Sequence, residues 1–253
     1  SAASDVYKRQ RLCIKPRSNG FQKLINFELK ITPEPEIIYP LLAASGEEIN
    51  RIRFEGLTNL LSIQTISEVE TIKHPNILDG VRNRESSFHT PIISSFSNQH
   101  ISSRVMVLRS YNATQRTMRF HSDFRSDKVQ ELIDNPKTSI IGYDPALKTQ
   151  IRLIGKSKIH HNNKKSLKAW DESQAISKKC YSVKDGSSHK AEKPEIYDFH
   201  MKDIKIEDGY ANFCTIEFNY HTLEFLYLQR QGHRRCKFNW NSKGKLSSVW
   251  LVP

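Results

Sequence analysis

The sequence predicts a mainly β protein, an antiparallel barrel that is closed or nearly closed and carries a few short helices on its outside. Three observations lead there. From about residue 90 onward, apolar and β-branched residues come in short runs that alternate or run unbroken, as strands do. Turn signals such as Asp144-Pro145 and NSKGK separate the runs. Only two or three segments carry helical spacing, and many strands with few helices suit a barrel with helical decoration.

The elements follow in order. Residues 1–10, SAASDVYKRQ, read as a translated adapter or assembly scar, because Met106, Met118 and Met201 all lie in the middle of the chain or beyond it. Residues 11–72 read as an N-terminal extension without a clear pattern. Within it, ITPEPEIIYP is a proline-broken connector, and Ser45 and Glu48 stand at capping-box spacing for a helix start. The barrel domain is drawn at 73–253. There NILDGVRNRESS is expected as a short helix, TPIISSFS and SSRVMVLRSYN as two strands, and RTMRFHSD as a third. SDKVQELIDNP is a helix with Ser126 as N-cap, Val129, Leu132 and Ile133 on one face, and Asn135-Pro136 as its stop. TSIIGYD and TQIRLIGKSKIHH are further strands, and NKKSLKAWDESQAISKK is a second, amphipathic helix. Strands return in ANFCTIEFNYHTLEFLYLQ, RRCKFNW and LSSVWLVP.

Composition narrows the function. With 253 residues, 26% charged and 37% hydrophobic, the chain is that of an ordinary soluble protein. No apolar run approaches the roughly 18 residues of a membrane span. Cys13, Cys180, Cys214 and Cys236 are scattered, with no CxxC and no metal-like spacing to histidines, so no metal centre and a reduced, cytoplasmic setting are expected. His160 and His161 are adjacent on a strand and point to opposite faces, which argues against a shared metal. A net charge of +12 favours an anionic partner. The basic residues are spread along the chain and not gathered in one arm, which argues against nucleic acid.

The densest chemistry lies in FHSDFRSDK, residues 120–128, at the mouth of the helix that Ser126 caps. A helix start presents outward amides and partial positive charge, a natural seat for a phosphate. Ser122, Arg125, Ser126 and Lys128 flank it. Taken alone, the nine residues favour a capping serine with two solvated cations. Their neighbours add an apolar wall in RVMVLR, from Arg104 through Val105, Met106 and Val107 to Arg109, and a side-chain amide, Gln150, at the start of a later strand. A phosphate clamp, a flat apolar wall and an amide together suit a phosphorylated aromatic cofactor.

In that order, FHTP, SRVMVLR, FHSDFRSDK, NP, YDP and TQIRLIGKSKIH, the sequence resembles the pyridoxamine 5'-phosphate oxidase-like flavoproteins, in particular the branch with an FHTP segment. The resemblance covers roughly residues 73–253. It implies an FMN-binding split β-barrel that forms a homodimer with FMN at the subunit interface, and it implies an oxidoreductase acting on a small substrate. By motif position, Arg104 and the backbone of 105–107 would meet the flavin and its phosphate arm. His121 and Ser122 fall where the family has an aromatic followed by a hydroxyl. Lys128 matches the phosphate-binding lysine, Gln150 the glutamine that approaches the ring, and Arg109 stands at the substrate-contacting lysine. Asp127 replaces the arginine that precedes that lysine in the full oxidases, and Arg125 lies two residues earlier. His233 and Arg235 invert the C-terminal Arg-x-His pair, and AWDESQAISKK offers no match for the residues that hold the vitamer phosphate. Cofactor binding is therefore better supported than vitamin B6 oxidation. A non-catalytic flavin-binding or storage protein and a basic nucleic-acid-binding barrel are the alternatives, and no catalytic residue is identified.

Overall fold

The computed structural model describes residues 66–253, apart from 98–99, 194 and 196–206. All of them fall in one compact unit, Ser45–Pro253. The adapter, the proline-broken connector and the Ser45 helix start lie outside the described residues.

Two long strands form the spine. Strand β6 (Thr149–His161) pairs antiparallel with β7 (Phe213–Tyr227) over nearly its whole length, from Thr149 opposite Tyr227 to His161 opposite Cys214. Along β6, Thr149, Ile151, Leu153, Gly155 and Ser157 are buried and the residues between them are not, which is the period of a sheet with one wet face. The register shifts once, between Ile154 and Gly155. There the backbones approach so closely that a Cβ on Gly155 would stand 2.1 Å from the Asn219 carbonyl oxygen, so only glycine fits.

The free edges of this pair take different partners. On β6, strand β5 (Lys137–Asp144) pairs with residues 149–156, followed outward by β1 (Ile92–Phe96) and β2 (Ile101–Val105). On β7, the first half pairs with β4 (Thr117–Asp123), itself paired to β3 (Ser110–Asn112), and the second half pairs with β8 (Arg234–Trp240). Strand β9 (Leu246–Leu251) extends β8. The sheet order is thus β2-β1-β5-β6-β7-β4-β3, with β8 and β9 branching from the split edge of β7.

Strands β2 and β3 stand at opposite ends of this order and are joined by residues 106–109, which close the barrel. The Met106 amide bonds to Pro91, Leu108 to His89 on one side, and Arg109 to Arg119 of β4 on the other. RVMVLR is therefore not the single strand its apolar run suggested. It leaves one end of the sheet at Val105 and joins the other, because its amides find carbonyls on two different neighbours. The interior is filled by alternate residues, with Phe120, Phe218, Phe225 and Phe238 fully buried.

Helix α1 (Ile66–Arg82) covers one end with Val69 and Ile77 buried, and the Lys73 ammonium sits 3.6 Å from the centre of the Phe238 ring. The helix expected at 76–87 thus begins earlier and stops at Arg82, where residues 83–89 turn. Pro75 lies inside α1, a position where proline removes a backbone donor. Helix α2 (Asp127–Asp134) buries Val129 and Leu132, whereas Ile133 is 49% exposed and not on the buried face. The long helix expected at 163–179 is two: α3 (Lys164–Asp171), with a capping box at Asn163 and Ser166, and α4 (Ala175–Lys179). The Ser173 amide turns back to Trp170 and the first helix ends there.

The boundary drawn at 72/73 falls inside α1. A chain beginning at Lys73 loses Val69, and full burial of one such side chain is worth about 1.5–3 kcal/mol. Compared with a chain beginning at Ile66, its urea midpoint should fall by the corresponding amount. Equal midpoints would show that the first turns of α1 contribute nothing to the barrel.

Candidate functional site

FHSDFRSDK ends β4 and starts α2. Ser126 holds the N-cap position with an extended backbone, but its hydroxyl does not cap the helix. It donates to the Asp123 carbonyl at 2.7 Å and lies 3.3 Å from the Ser122 hydroxyl, buried within the turn. Arg125 is also committed. Its Nη2 and Nε donate to the Asp123 carboxylate at 2.7 and 3.0 Å, and its Nη1 and Nη2 donate to the carbonyls of Lys184 and Val183 at 2.9 and 3.1 Å. Asp123 is buried, and this bidentate pairing neutralises a carboxylate that would otherwise repel an anion. Asp127 is exposed.

A cleft of about 530 Å³ opens between this turn, the barrel-closing segment and residues 180–191. Val105, Met106, Val107, Arg109, His121, Ser122 and Lys128 line it, as their sequence positions suggested. Arg104, Arg125, Ser126 and Gln150 do not. Arg104 lies on the inward side of β2, where Glu131 of α2 meets it at 2.7 Å and the Ser95 and Ser102 hydroxyls accept from its Nη1 and Nη2. Gln150 sits between the buried Thr149 and Ile151 and so faces outward, beside Tyr143 and Leu226 on the adjoining strands.

The electrostatics of the cleft favour an anion. Among the described residues, the side chains of Lys128 and Arg109 have neither a hydrogen bond nor an ion pair. Burial, and after it the nearby Arg104 charge, push the Lys128 ammonium below the ordinary lysine value, so a bound anion would restore it. His121 packs edge-on against Phe213 at 4.9 Å, and its Nε2 is buried without a partner. Burial, then the charges of Arg119 and Arg109, lower its pKa to about 3, so the imidazole is neutral at physiological pH. A neutral ring nitrogen without a partner, two unpaired cations and the Ser122 hydroxyl are what a phosphorylated, hydrogen-bonding ligand needs. The residues present fit FMN.

The far wall went unnoticed in the sequence. Cys180, Tyr181, Asp185, Gly186 and His189 complete the cleft, from a stretch that reads as an ordinary polar loop. Tyr181 anchors it in a small aromatic cluster, 5.0 Å from Phe213 and 6.1 Å from Trp170, with Ala169 and Tyr210. No group of histidine, cysteine and carboxylate side chains among the described residues could hold a metal ion.

Comparison with known proteins agrees with this geometry. Residues 75–161 match the family model of the pyridoxamine 5'-phosphate oxidase FMN-binding domain, which spans β1 to β6, the C-terminal part of α1 and the cation-lined side of the cleft. A separate model, that of the bacterial transglutaminase-like N-terminal region, matches residues 5–70 and reaches only the first described turn of α1. No curated protein matches the chain. Among solved structures, a pyridoxamine 5'-phosphate oxidase-related, FMN binding protein from Nostoc punctiforme superposes with a TM-score of 0.61 at 16% identity, covering 76% of this chain and 100% of its own. PhzG from Burkholderia lata, in complex with tetrahydrophenazine-1-carboxylic acid, superposes with a TM-score of 0.57 at 16% identity, covering 77% of this chain and 96% of its own. At such identities the likeness shows the fold. The barrel thus has the fold of the pyridoxamine 5'-phosphate oxidase-like split barrels, and residues 75–161 match the family model of their FMN-binding domain.

Proposed function

We propose that the protein binds FMN in this cleft and acts as an oxidoreductase on a small substrate. The observation that carries the reading is the pair of unpartnered cations, Lys128 and Arg109, in a cleft that also holds a neutral, unpartnered His121. Lys128 and Ser122 would hold the phosphate at the entry to α2, and the 105–107 wall would lie against the ring. Bound flavin supplies hydride-transfer chemistry at its N5, and the protein supplies orientation and charge. Arg109 is left to meet an anionic group of the cofactor or substrate. The Asp123–Arg125 pair keeps negative charge away from that anion.

The outward face of the sheet supports a homodimer. Ile92, Phe96, Ile101, Val105, Tyr143 and Ile154 lie on one face of β2-β1-β5-β6, each at least 38% exposed. An apolar patch of this kind on a soluble barrel marks an interface, and a second copy of the chain would match it by two-fold symmetry. Val105 belongs both to that face and to the cleft, and Gln150 lies on the same face. A site at the edge of such an interface explains why Gln150 stands outside the cleft of a single chain. No helix among the described residues is long and apolar enough to cross a membrane. Cys180 and Cys214 are free thiols, which supports a reducing, cytoplasmic setting.

Three outcomes are expected. Lys128→Ala should weaken FMN binding by roughly 10- to 150-fold, the equivalent of losing a charge-assisted hydrogen bond, and leave the weaker binding of riboflavin nearly unchanged. Equal losses for the two flavins in fluorescence titrations would mean that Lys128 supports the fold and does not hold a phosphate. Ile101, 68% exposed in the single chain, costs the barrel little when changed. Ile101→Glu should therefore convert a dimer to a monomer in light scattering without lowering the melting temperature, and an unchanged mass would remove this face as the interface. Steady-state assays with pyridoxamine or pyridoxine phosphate should show poor turnover, since a buried dianion without its partners binds weakly. Efficient oxidation of either vitamer would overturn that.

A further inference from the structure

The geometry points to Arg125 as a positioning residue: it fastens residues 180–191 across the mouth of the cleft, and a bound ligand is released only when that fastening opens. The inference rests on the FMN reading for the ligand used as probe, but not for the fastening itself.

Arg125 reaches in two directions at once. One side of its guanidinium grips the Asp123 carboxylate, fixed at the end of β4. The other side donates to two consecutive carbonyls of the far wall, at Val183 and Lys184. A planar fork with five donors does this; an ammonium on a flexible stem does not. Those two carbonyls belong to no strand or helix, and Lys184 is exposed. Asp185 adds a favourable charge beside Arg125.

Packing repeats what the hydrogen bonds show. Gly186 is buried, and a Cβ there would stand 2.7 Å from the Cβ of Arg125 and 3.1 Å from the His189 ring. Ordinary side-chain carbons do not approach so closely, so the glycine is what lets the wall seat on Arg125. Among the described residues, the segment's amides form three turn bonds, Tyr181 to Lys178, Ser182 to Lys179 and His189 to Gly186, and none is donated by residues 183–188. Beyond its aromatic foot at Tyr181, the wall therefore leans on a residue of the opposite side. A segment held by few contacts of its own opens locally at low cost unless something pins it, and closing segments of this kind often set the rate of ligand release. In the sequence, Arg125 was grouped with the phosphate-holding cations. Its donors are spent instead on neutralising Asp123 and on seating the wall.

The test uses the full chain loaded with FMN, in three variants: Gly186→Ala, Arg125→Gln and Arg125→Lys. Three quantities are read: tryptic cleavage after Lys184, whose carbonyl Arg125 holds; the FMN dissociation rate; and the ratio of FMN to riboflavin affinity. Gly186→Ala changes no charge and is the clean arm. It should speed both cleavage and dissociation by about tenfold, the scale of one charge-assisted hydrogen bond, with the affinity ratio unchanged. Arg125→Gln should expose Lys184 to the same degree, and Arg125→Lys should fail to restore protection although it keeps the charge. Cleavage after Lys184 that stays at the parent rate in Gly186→Ala and Arg125→Gln overturns the proposal. So does a Gly186→Ala protein that behaves as the parent while Arg125→Gln loses its preference for FMN over riboflavin, since Arg125 would then act on the phosphate directly. If the parent protein binds neither flavin, the FMN reading falls by itself and the cleavage arm still decides whether Arg125 holds the wall.

Discussion

The antiparallel ladder between β6 and β7 is the interaction on which the rest of the molecule depends. It is longer than any other strand pair here, and both of its free edges are shared out among shorter strands. Because β7 gives one half of its edge to β4 and the other half to β8, the sheet must divide there. Division sends β4 toward α2 and the cleft, and β8 and β9 away from it. The single register shift at Gly155 sits near the division, where the two backbones come too close for any Cβ. A side chain at that position would force the ladder apart at the point where the barrel splits.

The cleft is a product of closure and not of any one motif. Residues 106–109 join the two ends of the sheet, and in doing so they turn out of strand geometry and present an apolar backbone wall to the space above β4. The same closure brings Arg109 into the lining of the cleft. Lys128 arrives from a helix whose first residue is an aspartate, yet Asp127 is exposed and the buried Asp123 is neutralised by Arg125. The positive field is thus set as much by the pairing of Asp123 with Arg125 as by the cations themselves.

Strands were legible in the sequence where one face is wet, because alternation survives there: β4, β5, β6 and β8 begin and end close to where their patterns do. Patterns failed where apolarity was continuous. RVMVLR reads as one strand by composition, and only the partners of its amides, on two different neighbours, reveal a corner. The start of α1 was hidden by Pro75, which more often opens a helix than sits inside one. The break between α3 and α4 was hidden because both halves carry the same lysine-rich face. At the site, residues 121–128 lie close together in the chain, and the fold keeps them in one neighbourhood. Which of them face the cleft was not legible, since Ser126 and Arg125 differ from Ser122 and Lys128 only in what the folded chain puts beside them. The far wall, some sixty residues later, carries no periodicity and no motif, and its membership is a fact of tertiary packing alone.

A crystal structure of the FMN complex tests the central claim most directly. The account predicts a phosphate oxygen at the charge-assisted distance of roughly 2.7–2.9 Å from Lys128 Nζ, with the ring against the 105–107 wall and Arg125 still bonded to Asp123 and to the carbonyls of 183 and 184. A phosphate held instead by the other basic cluster of the barrel, Arg152, Arg235 and Lys237 around Glu224 on β6, β7 and β8, would contradict it.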